Sequence, residues 1–122
     1  MEDNKLIEYP MEQFINDFKE IFSTFDNYSI SFSQNFTNES CFDMYINGNA
    51  SFVYDDRIEL NGEGFSSVTL FFKDFKVIEQ EIEQDGNLGR SYYILFDKNK
   101  NNISEYDLVI NVVSMDEWNE YL

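Results

Sequence analysis

The sequence predicts an α+β fold: an N-terminal amphipathic helix packed on a mostly antiparallel β-sheet of about six strands, closed by a short C-terminal helix. Three observations carry this. One early segment repeats its apolar residues at helical spacing, most of the remainder alternates at a period of two, and turn-forming residues punctuate that remainder at short intervals. With 122 residues, 43% of them hydrophobic, the chain is long enough to bury a core without disulfides or metals, so residues 1–122 read as a single domain.

The helix is expected over residues 10–25, PMEQFINDFKEIFSTF. Met11, Phe14, Ile15, Phe18, Ile21, Phe22 and Phe25 fall three and four apart, and Pro10 suits the first helical position. The stripe is broad and aromatic, as in a helix laid across a sheet. From residue 28 the period becomes two. Tyr28, Ile30 and Phe32 alternate with serines, and Phe42, Met44 and Ile46 lead into Asn47, Gly48 and Asn49. A three-residue loop there predicts a hairpin pairing Ile46 with Ala50, Met44 with Phe52 and Phe42 with Tyr54, all on one face. Further strands are expected around residues 57–60, 67–73, 91–97 and 106–113. The last, YDLVINVV, reads as central because apolar residues fill both of its faces. Ser114, three residues before Glu117, forms a capping box for the C-terminal helix, which Trp118 and Leu122 would anchor.

Residues 77–86, VIEQEIEQDG, place Glu79, Glu81, Glu83 and Asp85 at every second position with no cation among them. A strand is favoured because Val77, Ile78 and Ile82 are β-branched and a turn and another strand follow. A helix aligning Phe71, Phe75, Ile78 and Ile82 is the alternative. In a strand the carboxylates stand roughly 6.8 Å apart, twice the rise per residue, and would face solvent or a partner.

Enzyme chemistry finds few candidates. The chain has no histidine, which removes the Ser-His-Asp and Cys-His systems and the commonest general base. Cys41 has no cationic neighbour to lower its pKa and is expected as a small buried side chain; alone it cannot hold a structural zinc. GEGFSS lacks the third glycine of a dinucleotide fingerprint, and its glycines read as turns. In DKNKNNISEYDL, Asp97, Asn99 and Asn101 match the first positions of a calcium loop, but Asn102 replaces the glycine and Leu108 the closing Glu, so the segment reads as a polar turn. No catalytic residue, metal site or cofactor is expected.

The charge is the outlier. Against 8 Lys and Arg stand 24 Asp and Glu, a formal charge of −16, where a small domain usually carries a magnitude of about 2 to 8. Such a surplus repels nucleic acid and anionic membrane and steers a basic partner into contact. The start MEDNKLIEYP has neither the basic flank nor the apolar run of a secretory signal, and a lone cysteine suits a reducing compartment, so a cytoplasmic location is expected.

In size, acidity, absence of histidine chemistry and α+β layout, the sequence resembles the small acidic immunity proteins of bacterial polymorphic toxin and contact-dependent inhibition systems. The resemblance implies a non-catalytic protein that binds and neutralises a cognate toxin domain with a basic surface, often a nuclease. On that reading Glu79, Glu81, Glu83 and Asp85, with Asp55 and Asp56, engage the partner's Lys and Arg, and Tyr54 and Tyr92 are exposed aromatic anchors. The same physics fits an acidic DNA mimic that inhibits a restriction or CRISPR enzyme. A small-molecule-binding α+β domain is the third reading.

Overall fold

A computed structural model describes residues 8–24, 28–35, 40–64, 66–84, 87–100, 102 and 105–114. Its elements run β1 (Glu8–Tyr9), α1 (Met11–Ser23), β2 (Tyr28–Asn35), β3 (Cys41–Tyr45), β4 (Phe52–Val53), β5 (Arg57–Asn61), β6 (Ser67–Phe71), β7 (Lys76–Gln84), β8 (Asn87–Leu95) and β9 (Leu108–Ser114). Six strands form one antiparallel sheet in the order β1-β7-β8-β9-β2-β3, and β4-β5-β6 form a second, smaller one. The expected fold class is therefore present, with a second sheet that the sequence did not foretell. The C-terminal helix expected over residues 114–122 lies outside the described residues beyond Ser114, where β9 ends.

Helix α1 forms where the three-and-four spacing places it. Pro10 sits at the N-cap, one position before the helix begins, and the Phe14 amide donates to its carbonyl oxygen. Phe14, Phe18 and Ile21 are buried. They meet the row Val77, Tyr92, Ile94, Ile110, Val112, Ile30, Phe32 and Met44, contributed by β7, β8, β9, β2 and β3 in one continuous core. Each fully buried Phe removes a side chain from water at a gain of about 1.5–3 kcal/mol. Strand β9 lies between β8 and β2 and buries residues on both faces, Leu108 and Ile110 on one and Val109 on the other, as its sequence requires.

Residues 76–84 are a strand. The β7–β8 hairpin runs in register from Lys76 opposite Leu95 to Gln84 opposite Asn87. The expected 42–54 hairpin does not form. Strand β3 pairs with β2, and β4 pairs with β5 in the other sheet. The reason lies in residues 46–51. Ile46 bridges to Gly62, the Asn47 amide donates to the Asn61 carbonyl at 2.8 Å, and a 3-10 turn follows over Gly48–Ala50. Ser51 and Asn61 complete the crossing: the Asn61 amide donates to Ser51 Oγ at 2.9 Å, and Asn61 Nδ2 donates to the Ala50 carbonyl at 2.6 Å. The chain thus steps from one sheet to the other instead of turning back. Ile58, Leu60 and Leu70 of the small sheet join the same core.

One polar network pins the helix to the sheet. Asp17 Oδ2 accepts from the hydroxyls of Tyr9 and Tyr92, the latter at 3.1 Å, and Gln13 Nε2 donates to Asp17 Oδ1 at 2.8 Å. Arg90 Nη1 lies 3.8 Å from Asp17 Oδ2, and its Nε lies 3.4 Å from Glu79 Oε2. The Tyr92 ring is fully buried, with its centroid 5.6 Å from that of Phe14 and 5.1 Å from that of Phe18. Burial, with the Asp17 carboxylate adding to it, pushes both phenols above the ordinary tyrosine range, against an opposing pull from Arg90.

Two predictions follow from this packing. A Cβ on Gly62 would stand 2.8 Å from the backbone oxygen of Tyr45, a rigid neighbour at the point where the two sheets meet. Gly62→Ala is therefore expected to cost about 1–3 kcal/mol, read as a lower urea midpoint; an unchanged midpoint would show that the crossing is slack. Tyr92→Phe keeps the ring and removes a donor from a carboxylate, a loss of about 1.5–3 kcal/mol. Because the folded state holds the Tyr9 and Tyr92 protons more tightly than the unfolded chain, their stabilisation is complete below the ordinary phenol pKa of about 10 and declines as pH rises above it. The urea midpoint should fall above that pH, and fall less steeply in Tyr92→Phe.

Candidate protein-docking face

In β5, Ile58 and Leu60 are buried while Arg57, Glu59 and Asn61 face outward. The register of the small sheet extends this division to its neighbours. Phe52 stands opposite Glu59, which stands opposite Thr69, and Arg57 stands opposite Phe71. Tyr54 shares the outward side, since the chain reverses through Asp55 and Asp56 and the Tyr54 amide donates to the Arg57 carbonyl at 2.8 Å. Outward-facing aromatics thus gather on one small surface, with Phe52 49%, Tyr54 38% and Phe71 39% exposed. Single exposed apolar residues are ordinary, but a cluster of aromatics is a recognised mark of an interaction surface.

The polar groups of this face are arranged around the rings. The Arg57 guanidinium lies 4.2 Å from the centre of the Tyr54 ring. It is 2.7 Å from Asp56 Oδ1, and its Nε is 3.6 Å from Glu59 Oε2. The Phe52 and Tyr54 ring centres are 6.2 Å apart. Asp55 and Asp56 are exposed at the turn. The middle strand β5 thus carries Arg57 and Glu59, with Phe52 and Tyr54 on one side, Phe71 on the other and Asp55 and Asp56 at the turn, on a sheet whose other side faces the core.

The residues expected from sequence to bind a partner meet different outcomes. Tyr54, Asp55 and Asp56 come together on this face. Tyr92 does not serve as an exposed anchor: it is fully buried beneath α1, because the register that sets it opposite Glu79 turns it toward the helix. Glu79 also departs from expectation. It shares the face of Val77, which lies in the core, and it is half-buried and paired with Arg90 instead of standing free. Glu81 and Glu83 continue β7, with backbones opposite Arg90 and Leu88. Asp85 lies outside the described residues.

Sequence reading missed Phe52, Phe71, Arg57 and Glu59. The alternation of RIELN marks Arg57 and Glu59 as outward, and a tight Asp55-Asp56 turn then carries that face to Tyr54 and Phe52. Other expectations meet mixed outcomes. Cys41 is exposed on the outermost strand, β3, not buried, and the Asp43 carboxylate beside it pushes its thiol pKa up, which disfavours a reactive thiolate. In the segment that resembled a calcium loop, Asp97 Oδ1 accepts from the Asn99 amide at 3.0 Å and the Lys100 amide donates to the Asp97 carbonyl at 3.1 Å, closing a turn. Among the described residues no group of three or more Cys, Asp or Glu is placed to hold a metal ion, and no helix is long and apolar enough to cross a membrane.

No protein-family model matches the chain, and no curated protein matches it. A solved structure described as "Crystal structure of ChuX" is similar in fold, with a TM-score of 0.51 at 10% sequence identity. The similarity covers 89% of this chain and 62% of that one, so this chain spans less than two thirds of its length. At that identity the likeness concerns the path of the backbone alone.

Proposed function

We propose that this chain is a cytoplasmic immunity protein that binds a cognate toxin domain with a basic surface and neutralises it by occlusion, without catalysis of its own. The observation that supports the reading best is the outer face of the small sheet. It sets exposed aromatic rings on both sides of a central Arg57–Glu59 pair, with two more carboxylates at the turn; aromatic residues and Arg carry most of the energy at protein interfaces, and charged groups set rate and selectivity. The formal charge of −16 adds a long-range field that draws a cationic partner in. This favours a toxin domain seated on the aromatic face over mimicry of DNA, which calls for carboxylates at phosphate-like spacing. Glu79, the acid of the β7 row whose side chain is described, is engaged by Arg90.

In this reading Phe52, Tyr54 and Phe71 are the anchors, Arg57 and Glu59 lie between them, and Asp55 and Asp56 form the charged edge. Glu79 belongs to the fold, while Glu81, Glu83 and Asp85 contribute to the field that steers the encounter.

The test begins with co-purification from the native host and continues with the isolated pair. The captured partner should be basic, and co-expression with this chain should relieve its toxicity. Phe52→Ala and Tyr54→Ala, made separately, are expected to weaken the complex by about 2–4 kcal/mol each while leaving the urea midpoint nearly unchanged. Replacing Asp55 and Asp56 together by Lys should slow association by about tenfold or more at low salt, and the wild-type rate should drop steeply as salt rises. An acidic partner, a salt-insensitive rate, or full affinity in both aromatic variants would overturn the assignment.

A further inference from the structure

The small sheet leaves one edge open, and the strand on that edge is unlike the rest of the chain. Strand β6 (Ser67–Phe71) pairs with β5 and, among the described residues, with no strand on its other side. It lies in the run FSSVTLFF, residues 65–72, which holds no charge in a chain with 24 acids. Outermost strands are usually guarded by a charge, a proline or very short length, because their unpaired backbone groups invite another strand. The other outermost strands follow that rule: β1 and β4 are 2 residues each, β1 carries Glu8, and β3 carries Asp43. Strand β6 has 5 residues and no such guard.

The direction of its backbone groups follows from the two bonds that bracket it. The Gly62 amide donates to the Ser66 carbonyl at 2.9 Å, and the Phe72 amide donates to the Asp56 carbonyl at 3.0 Å. Backbone groups alternate along an antiparallel strand, so Val68 and Leu70 address β5, while the N–H and C=O of Ser67, Thr69 and Phe71 point to the open edge. Ser67, Thr69 and Phe71 are exposed. Among the described residues their edge-facing groups have no partner.

We propose that two copies of this chain pair β6 against β6, antiparallel about a two-fold axis at Thr69, and so join their small sheets into one. In that register Thr69 faces its own counterpart and Ser67 faces Phe71, residues whose backbone groups address the edge, so each pair exchanges N–H···O=C bonds. A two-fold interface has to complement itself. Here Thr meets Thr and Ser meets Phe, and no like charges are opposed. The flanks add attraction, because the antiparallel arrangement brings exposed Glu63, just before β6, to the end where the second copy's exposed Lys73, just after β6, is placed. A second copy therefore suits this edge better than a basic segment of another protein, to whose lysines and arginines an uncharged strand offers nothing. The axis runs normal to the sheet, so the aromatic faces of both copies come to lie on the same side.

The experiment is sedimentation equilibrium of the whole protein at about 0.05 and about 0.5 M NaCl, paired with amide hydrogen exchange over the same protein concentrations. Each copy has a formal charge of −16, so screening should favour the pair. The dissociation constant should be about 10–300 µM at the higher salt and at least about tenfold weaker at the lower. Pairing should slow exchange at the Ser67, Thr69 and Phe71 amides and leave Val68 and Leu70 unchanged. Thr69→Lys sets a cation opposite Glu59 within the chain, which suits the fold, and it lowers the net negative charge of each copy. It also puts two ammonium groups face to face at the axis, and should weaken pairing at least about tenfold. Lys73→Glu should weaken pairing as well, and adding Glu63→Lys should restore it. A monomer at both salts up to about 1 mM, pairing weakened by salt, protection centred elsewhere, a Thr69→Lys constant equal to wild type, or a double exchange that restores nothing would each overturn the proposal. The toxin reading stands separately, since it uses Phe52, Tyr54, Asp55 and Asp56 and calls for an association that salt weakens.

Discussion

The structure depends on the seating of one ring. Tyr92 is enclosed by Phe14 and Phe18 of α1, meets Tyr9 of β1 edge-on at 5.7 Å, and sends its hydroxyl to Asp17 on the same helix. Apolar enclosure alone would hold the helix near the sheet without fixing its rotation or its shift along the axis. The hydroxyl supplies that precision, because a buried donor is costly to leave unpaired and the carboxylate can satisfy it from one helical position. The helix so fixed also touches β4 and the turn over Gly48–Ala50. Both sheets therefore share one cover, and the outer face of the small sheet owes its firmness to an interaction on the far side of the core.

The distribution of charge follows from the same economy of cations. Arg90 lies between Asp17 and Glu79 at the margin of the helix, and Arg57 between Asp56 and Glu59 on the small sheet. Each arginine holds two acids at a place where the structure has to be exact. With 24 acids and 8 cations in the chain, acids outnumber cations three to one, and their mutual repulsion is a standing cost that the aromatic core offsets. On the proposed reading, that imbalance would draw in a cationic protein and the aromatic face would give it somewhere specific to land.

Much of this architecture was legible in the sequence, for identifiable reasons. The helix announced itself because Phe14, Phe18 and Ile21 can share a face only at a period of 3.6. Strand β9 read as central because Val109 and Ile110 point opposite ways and both need burial. The parting of β3 from β4 was not legible. Alternation of Met44 and Ile46 with polar residues is identical whether the strand turns back on itself or crosses to another sheet, and the deciding contacts, Ile46 to Gly62 and Asn47 to Asn61, are long-range. Tyr92 was misjudged because SYYILF is apolar on both sides, so only its register with Glu79 shows which tyrosine turns inward. The face itself was half visible: Tyr54, Asp55 and Asp56 were evident, but Phe71 joins them only through pairing between β5 and β6.

Arg57 carries one more consequence. Long flexible side chains ordinarily lose conformational freedom when a complex forms, and that loss subtracts from affinity. Here the guanidinium is stacked on Tyr54 and tethered to Asp56 and Glu59 before any partner arrives. Its rotamer entropy has been surrendered during folding, so the face behaves as a rigid template. On the proposed reading, a partner would be judged by how well its shape fits, with little opportunity for mutual adjustment.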